Sequence, residues 1–193
     1  MKQVLKKILK KWYVYVVGVI LASVVSVYFV HFVSMPRNEA TISIFLASNN
    51  ETKKKVFDIL DDVKPSYLRE IDITNVEPNN TEFGYYFAQK GLNKADIFVL
   101  PESKLTDEML SKQFATLDQE YLSTYFTYTS EQTNHGILLH EKDKEDTLFN
   151  LKEELEENYY IFFRKNSIHC GNLNNSNFDT SIIFTKALLN YEI

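Results

Sequence analysis

His169 and Cys170 stand side by side, the nearest approach in this chain to a base beside a nucleophile. A cysteine attacks as its thiolate, so a base must reach the sulfur within hydrogen-bond distance. Neighbours on an extended chain point to opposite faces, which places this pair poorly for such work. Cys170 reads better as a small buried side chain. His135 and His140 have no partner at metal-ligand spacing, and a chain with one cysteine holds no CxxC and no internal disulfide. Asp58, Asp61 and Asp62 could bind a cation, but an exposed helix face is the better account of them. Glycine is scarce at five residues, and no phosphate-binding glycine loop is present. The residues therefore predict no catalytic group, no metal, no cofactor and no enzyme.

Binding rather than catalysis then depends on which elements bring polar residues together. Thr41 to Ala47 (TISIFLA) is almost wholly apolar, the pattern of a strand covered on both faces. Ser48 to Glu51 fits a Ser-x-x-Glu capping box opening a helix, whose apolar face is Val56, Ile59, Leu60 and Val63. Lys64-Pro65-Ser66 ends it. A second strand is expected over Tyr67 to Val76, and a turn at Pro78-Asn79-Asn80. A helical stripe of Phe83, Tyr86, Phe87 and Leu92 comes next, then a third strand, Asp96 to Leu100, stopped by Pro101. Thr106 caps a short helix, Gly136 to His140 reads as a strand, and Tyr159 to Phe163 (YYIFF) as another. Asp179 opens a last helix.

Strands alternating with helices predict an α/β fold. The expected form is a three-layer, doubly wound, mainly parallel sheet, with helices on both faces. In such sheets ligands lie outside the carboxyl ends of the strands, where the strand order reverses. With an order of 2-1-3 that place falls between the first and third strands. The candidate ligand-binding residues are therefore Ser48, Asn49, Asn50 and Glu51, with Pro101, Glu102 and Ser103. Capping and turn chemistry is the competing account of the same seven. Eleven further aromatics, from Tyr85-Tyr86-Phe87 to Tyr159-Tyr160 and Phe162-Phe163, could stack on sugars, but core packing accounts for most of them. The run Glu153, Glu154, Glu156, Glu157 reads as a solvated helix face.

The N-terminal part differs in kind. Residues 1–33 contain five lysines and no acid. Of 21 basic side chains that leaves 16 against 26 acidic ones, a net charge of −10 for the remainder. An acidic domain repels phosphate backbones, so nucleic-acid binding is not expected. Trp12 to Val33 is uncharged and apolar, with aromatics at both ends, and predicts a transmembrane helix. The lysines before it predict a cytoplasmic N-terminus and an extracytoplasmic C-terminal domain. Bulky Val30 to Val33 argues against signal-peptide cleavage. The expected organisation is a basic cytoplasmic tail (1–11), a single transmembrane helix (12–33), a linker (34–40) and an extracytoplasmic α/β domain (41–193). An outer domain without disulfides, rich in Asn, Lys, Ile, Tyr and Phe, suggests the cell membrane of a low-GC Gram-positive bacterium.

The order ISIFLAS strand, helix, IDITNV strand, helix and Ala95-Asp96-Ile97-Phe98-Val99-Leu100-Pro101 resembles the first lobe of the extracellular solute-binding proteins of ABC transporters, the sugar-type group. Phe114 to Leu122 and Tyr159 to His169 are similar to later segments of that group. The resemblance implies a periplasmic-binding-protein-like lobe, transporter permease subunits as partners and a carbohydrate ligand. Those proteins are roughly twice this size and close two lobes on the ligand. A single lobe would leave most of a ligand's surface in water, so any sugar is expected to bind weakly. The sequence thus carries two readings. One is a membrane-anchored, solute-binding-like module accessory to carbohydrate transport. The other is a non-catalytic structural or assembly protein whose outer domain binds other membrane or envelope proteins.

Overall fold

The computed structural model describes residues 12–34, 38–117, 135–142, 144, 148–149, 156–170 and 179–192. The basic tail, the segment Tyr121–Tyr128, Glu153, Glu154 and the polar stretch Asn172–Asn177 lie outside the described residues. The chain divides into two units, Met1–Arg37 and Asn38–Ile193.

In the first unit, α1 runs from Trp12 to Ser34. Its large apolar side chains among the described residues are exposed, from Val16 at 43% to Tyr28 at 74%. The expected transmembrane helix is corrected by the structure. Among the described residues no helix is long and apolar enough to cross a membrane.

In the second unit a 3-10 turn, Asn38–Ala40, leads into β1, Thr41–Leu46. The following helix α2 spans Asn50–Asp62, and β2 spans Glu70–Asn75. A short helix α3, Phe83–Tyr86, continues as a π-type turn, Phe87–Leu92, before β3, Ile97–Pro101. Another 3-10 turn, Glu102–Lys104, precedes α4, Asp107–Gln113. Strands β4, Gly136–His140, and β5, Tyr159–Phe163, complete the sheet, and α5, Thr180–Leu189, follows.

The five strands lie in the order β2-β1-β3-β5-β4. The pairs β1–β2 and β1–β3 are parallel, whereas β3–β5 and β4–β5 are antiparallel. The sheet is mixed, a second correction to the expected mainly parallel fold. The reason is that YYIFF is buried on both faces, and an unbroken apolar run carries no mark of direction.

Period-two alternation divides the core between the two faces. Ile42, Ile44, Ile97, Val99, Ile161 and Phe163 pack with Val56 and Leu60 of α2 and Phe184 and Leu188 of α5. On the other face Phe45, Phe98 and Phe162 join Phe83, Phe87 and Phe114. Their rings make a continuous series: Phe45–Phe87 at 5.3 Å, Phe87–Phe98 at 6.1 Å, Phe98–Phe114 at 5.0 Å and Phe114–Phe162 at 4.6 Å between centroids. Edge and offset contacts of this kind add about 0.5–1.5 kcal/mol each beyond area burial. Gly136 is required by this layer, since a Cβ there would lie 2.5 Å from Cε1 of Phe162.

Candidate functional site

The carboxyl ends of β1, β2 and β3 are where the sequence places its candidates. Ser48 and Asn49 are buried. Asn49, not Ser48, is the N-cap of α2: its Oδ1 accepts from the amides of Glu51 at 2.7 Å and Thr52 at 2.9 Å. The expected Ser-x-x-Glu box is thus shifted by one residue. An asparagine at the cap satisfies two of the helix's orphan amides, and Ser48 lies buried in the bend between β1 and α2. Pro101 is buried as the last residue of β3. Glu102 and Ser103 turn toward the start of β5. The Glu102 carboxylate accepts from Asn158 Nδ2 at 2.8 Å, and the Ser103 amide donates to Glu157 at 3.2 Å. Asn158 Oδ1 in turn accepts from the Lys142 amide at 2.8 Å, which joins the network to the end of β4.

Of the seven candidates only Asn50 lines the open cleft at this end of the sheet. The cleft holds about 330 Å³ and lies against β2, one strand away from the expected switch point. Asn75, Glu77, Asn80, Tyr86 and Lys90 line it with Asn50. Asn75 Nδ2 donates to Asn50 Oδ1 at 3.0 Å, leaving an amide donor on Asn50 and a carbonyl acceptor on Asn75. Asn80 Oδ1 accepts from the Glu82 amide at 2.8 Å and fixes the turn that forms the wall. Tyr86 is half-buried and lines the cleft, with its ring centroid 5.5 Å from that of Tyr85. Amide donors and acceptors, the carboxylate of Glu77, the ammonium of Lys90 and the aromatic Tyr86 share one small cleft.

No known protein family, curated protein or solved structure matches this chain.

At the opposite end of the sheet Asp96 organises a second polar region. Its Oδ2 accepts from the Ser43 amide at 3.0 Å and its Oδ1 from Ser167 Oγ at 2.7 Å. The Asp96 amide donates to Ser43 O at 2.7 Å, and the Arg164 amide donates to Asp96 O at 2.9 Å. One aspartate therefore ties β1, β3 and the turn after β5. Ser167 Oγ also accepts from the His169 amide at 3.1 Å, and His169 Nε2 bonds to Thr41 O at 2.9 Å. The serine thus gives its proton to a carboxylate, and this imidazole nitrogen faces a backbone carbonyl, so neither is arranged as nucleophile and base. Cys170 is buried, its Sγ 3.8 Å from Ser181 Oγ, and burial pushes its thiol up to about 11. A thiol held protonated is a poor nucleophile. Among the described residues no group of three or more His, Cys, Asp and Glu could hold a metal ion.

Sequence reasoning overlooked Asn75, Glu77, Asn80, Tyr86 and Lys90 as a group. The signal was present in Asn75-Val76-Glu77-Pro78-Asn79-Asn80, a dense polar run directly after a strand, which reads as a turn until the strand's end is placed beside Asn50.

Proposed function

We propose that this protein is a solute-binding-like module at the cell membrane, accessory to a carbohydrate transporter of the ABC type and not an enzyme. The observation that carries the reading is the cleft of Asn50, Asn75, Glu77, Asn80, Tyr86 and Lys90 at the carboxyl ends of β1 and β2. Its amides present an acceptor and a donor side by side, the pair that adjacent sugar hydroxyls satisfy, and Tyr86 offers an apolar face for ring C–H groups. The strand order β2-β1-β3, with all three parallel, supports the likeness to the first lobe of sugar-type solute-binding proteins.

The outer location of the α/β unit rests on the carbohydrate-transport reading, since transported sugars arrive on that side. An export-dependent phosphatase fused after Ile193 should be active in cells. Activity of a cytoplasmic reporter at that position, with the phosphatase silent, would reject the outer location. For the cleft, sugar-induced amide shifts should centre on Asn50, Asn75 and Tyr86 and disappear in Asn75→Ala. Shifts spread over the surface would remove this site from the reading.

A further inference from the structure

The second cleft, at the amino ends of β1 and β3, is not used by the sugar reading. It holds about 360 Å³, and Asn93, Lys94, Asp96, Arg164, Asn166 and Ser167 are among its lining residues. Arg164 is half-buried and held at both ends. Its amide donates to Asp96 O at 2.9 Å, and its Nη1 donates to Asn93 O at 3.2 Å. A guanidinium has five N–H groups in a planar fork, so this tether orients the group and leaves most of its donors available. Lys94 follows Asn93 directly and brings a second cation to the same rim.

Neither cation is a member of the ion pairs Lys64–Asp61, Lys112–Glu108 and Lys144–Glu141 of the described residues. The nearest acid in the lining, Asp96, has both oxygens engaged by Ser43 and Ser167. Two cations outside those pairs on one cleft are unexpected in a domain carrying a net −10, where acids are abundant. An exposed lysine alone would be an ordinary solvated side chain. A tethered, half-buried arginine beside it is a prearranged anion fork.

We propose that this cleft binds a small oxyanion of the phosphate-monoester class, with Arg164 supplying the fork, Lys94 the second charge, and the amides of Asn93 and Asn166 further donors. A tetrahedral anion with three terminal oxygens uses several donors on one rim more fully than a two-oxygen carboxylate does. The Asp96 carboxylate opposes the anion, and its hydrogen bonds from Ser43 and Ser167 disperse that charge. The same chemistry is offered by a soluble phosphate ester and by an anionic lipid headgroup, and one experiment separates them.

The full chain in neutral detergent micelles is titrated with inorganic phosphate and with glycerol 3-phosphate at constant ionic strength, with chloride and acetate as controls. Backbone amide resonances of Asn93, Lys94 and Arg164 are followed. A parallel set uses phosphatidylcholine vesicles with and without phosphatidylglycerol. Saturable shifts confined to the cleft with the soluble phosphates are the expected result and assign a soluble ligand. Shifts at the same residues only on phosphatidylglycerol vesicles also support the site and assign a headgroup. In either case Lys94→Gln, and separately Arg164→Lys, which keeps the charge but loses the fork, should weaken binding at least about tenfold with the amide spectrum otherwise intact. Shifts in neither arm, equal shifts with acetate, or shifts that both substitutions leave unchanged would overturn the proposal.

Discussion

The Asp96 carboxylate joins two donors that lie far from it in the chain. Removing its carboxylate leaves the Ser43 amide and the Ser167 hydroxyl without their acceptor at the junction of β1, β3 and β5. Each orphaned, partly buried donor costs about 1–3 kcal/mol. Asp96→Ala is therefore expected to lower stability by about 2–4 kcal/mol, measured by urea denaturation of the Asn38–Ile193 unit. A loss below about 0.5 kcal/mol would mean that the network is decorative. Cys170 gives a prediction with a pH sign. Its thiol is raised from 9.0 to about 11 in the fold by burial, opposed by hydrogen bonds to Ser167 and Ser181. Between these values the unfolded chain has lost the proton and the native state retains it, so stability falls as pH rises from about 9 toward 11. Below 9 the effect vanishes. Cys170→Ala should flatten this part of the stability–pH curve, and the native thiol should resist alkylation at pH 8. Fast alkylation of the folded protein would contradict the burial.

The strands show what an amino-acid pattern can and cannot say. Ile44 and Val99 are buried, on adjacent parallel strands, as their unbroken apolar surroundings predict. Val99→Asp places an unpaired carboxylate where no water reaches, and a loss of at least about 4 kcal/mol in thermal or chemical unfolding is expected. An unchanged melting temperature would refute the burial. Strand positions were legible because burial and alternation are local properties. The direction of β5 was not, because pairing partner and polarity are set by connections between strands rather than by the residues within them. The cap of α2 was misplaced by one residue because Ser48 and Asn49 are both good caps, and only the buried end of β1 decides between them. The candidate site was legible in part. Asn50 lines the cleft, but Ser48 and Pro101 are buried, Asn49 is absorbed by the cap of α2, and Glu102 and Ser103 by the contact with Glu157 and Asn158. Asn75 to Lys90 came to the site through the β1–β2 pairing, a relation between residues far apart in the chain.

For the whole molecule, the apolar helix and the acidic α/β unit are physically distinct parts. The first exposes apolar surface, and the second buries its own on both faces of one sheet. On the proposed function, the α/β unit binds a carbohydrate weakly at the carboxyl ends of β1 and β2. A cleft of about 330 Å³ lies at the small end of ligand sites and leaves much of a sugar hydrated. Little free energy is gained when hydroxyls exchange water for amides without being enclosed. Calorimetric titration of Asn38–Ile193 with a panel of mono- and oligosaccharides tests this directly. Saturable binding of at least one sugar, no tighter than about millimolar and worth about 4 kcal/mol, is the predicted result, lost in Asn75→Ala. Micromolar affinity would contradict weak capture by an open site, and no heat with any sugar at tens of millimolar would contradict the carbohydrate reading itself.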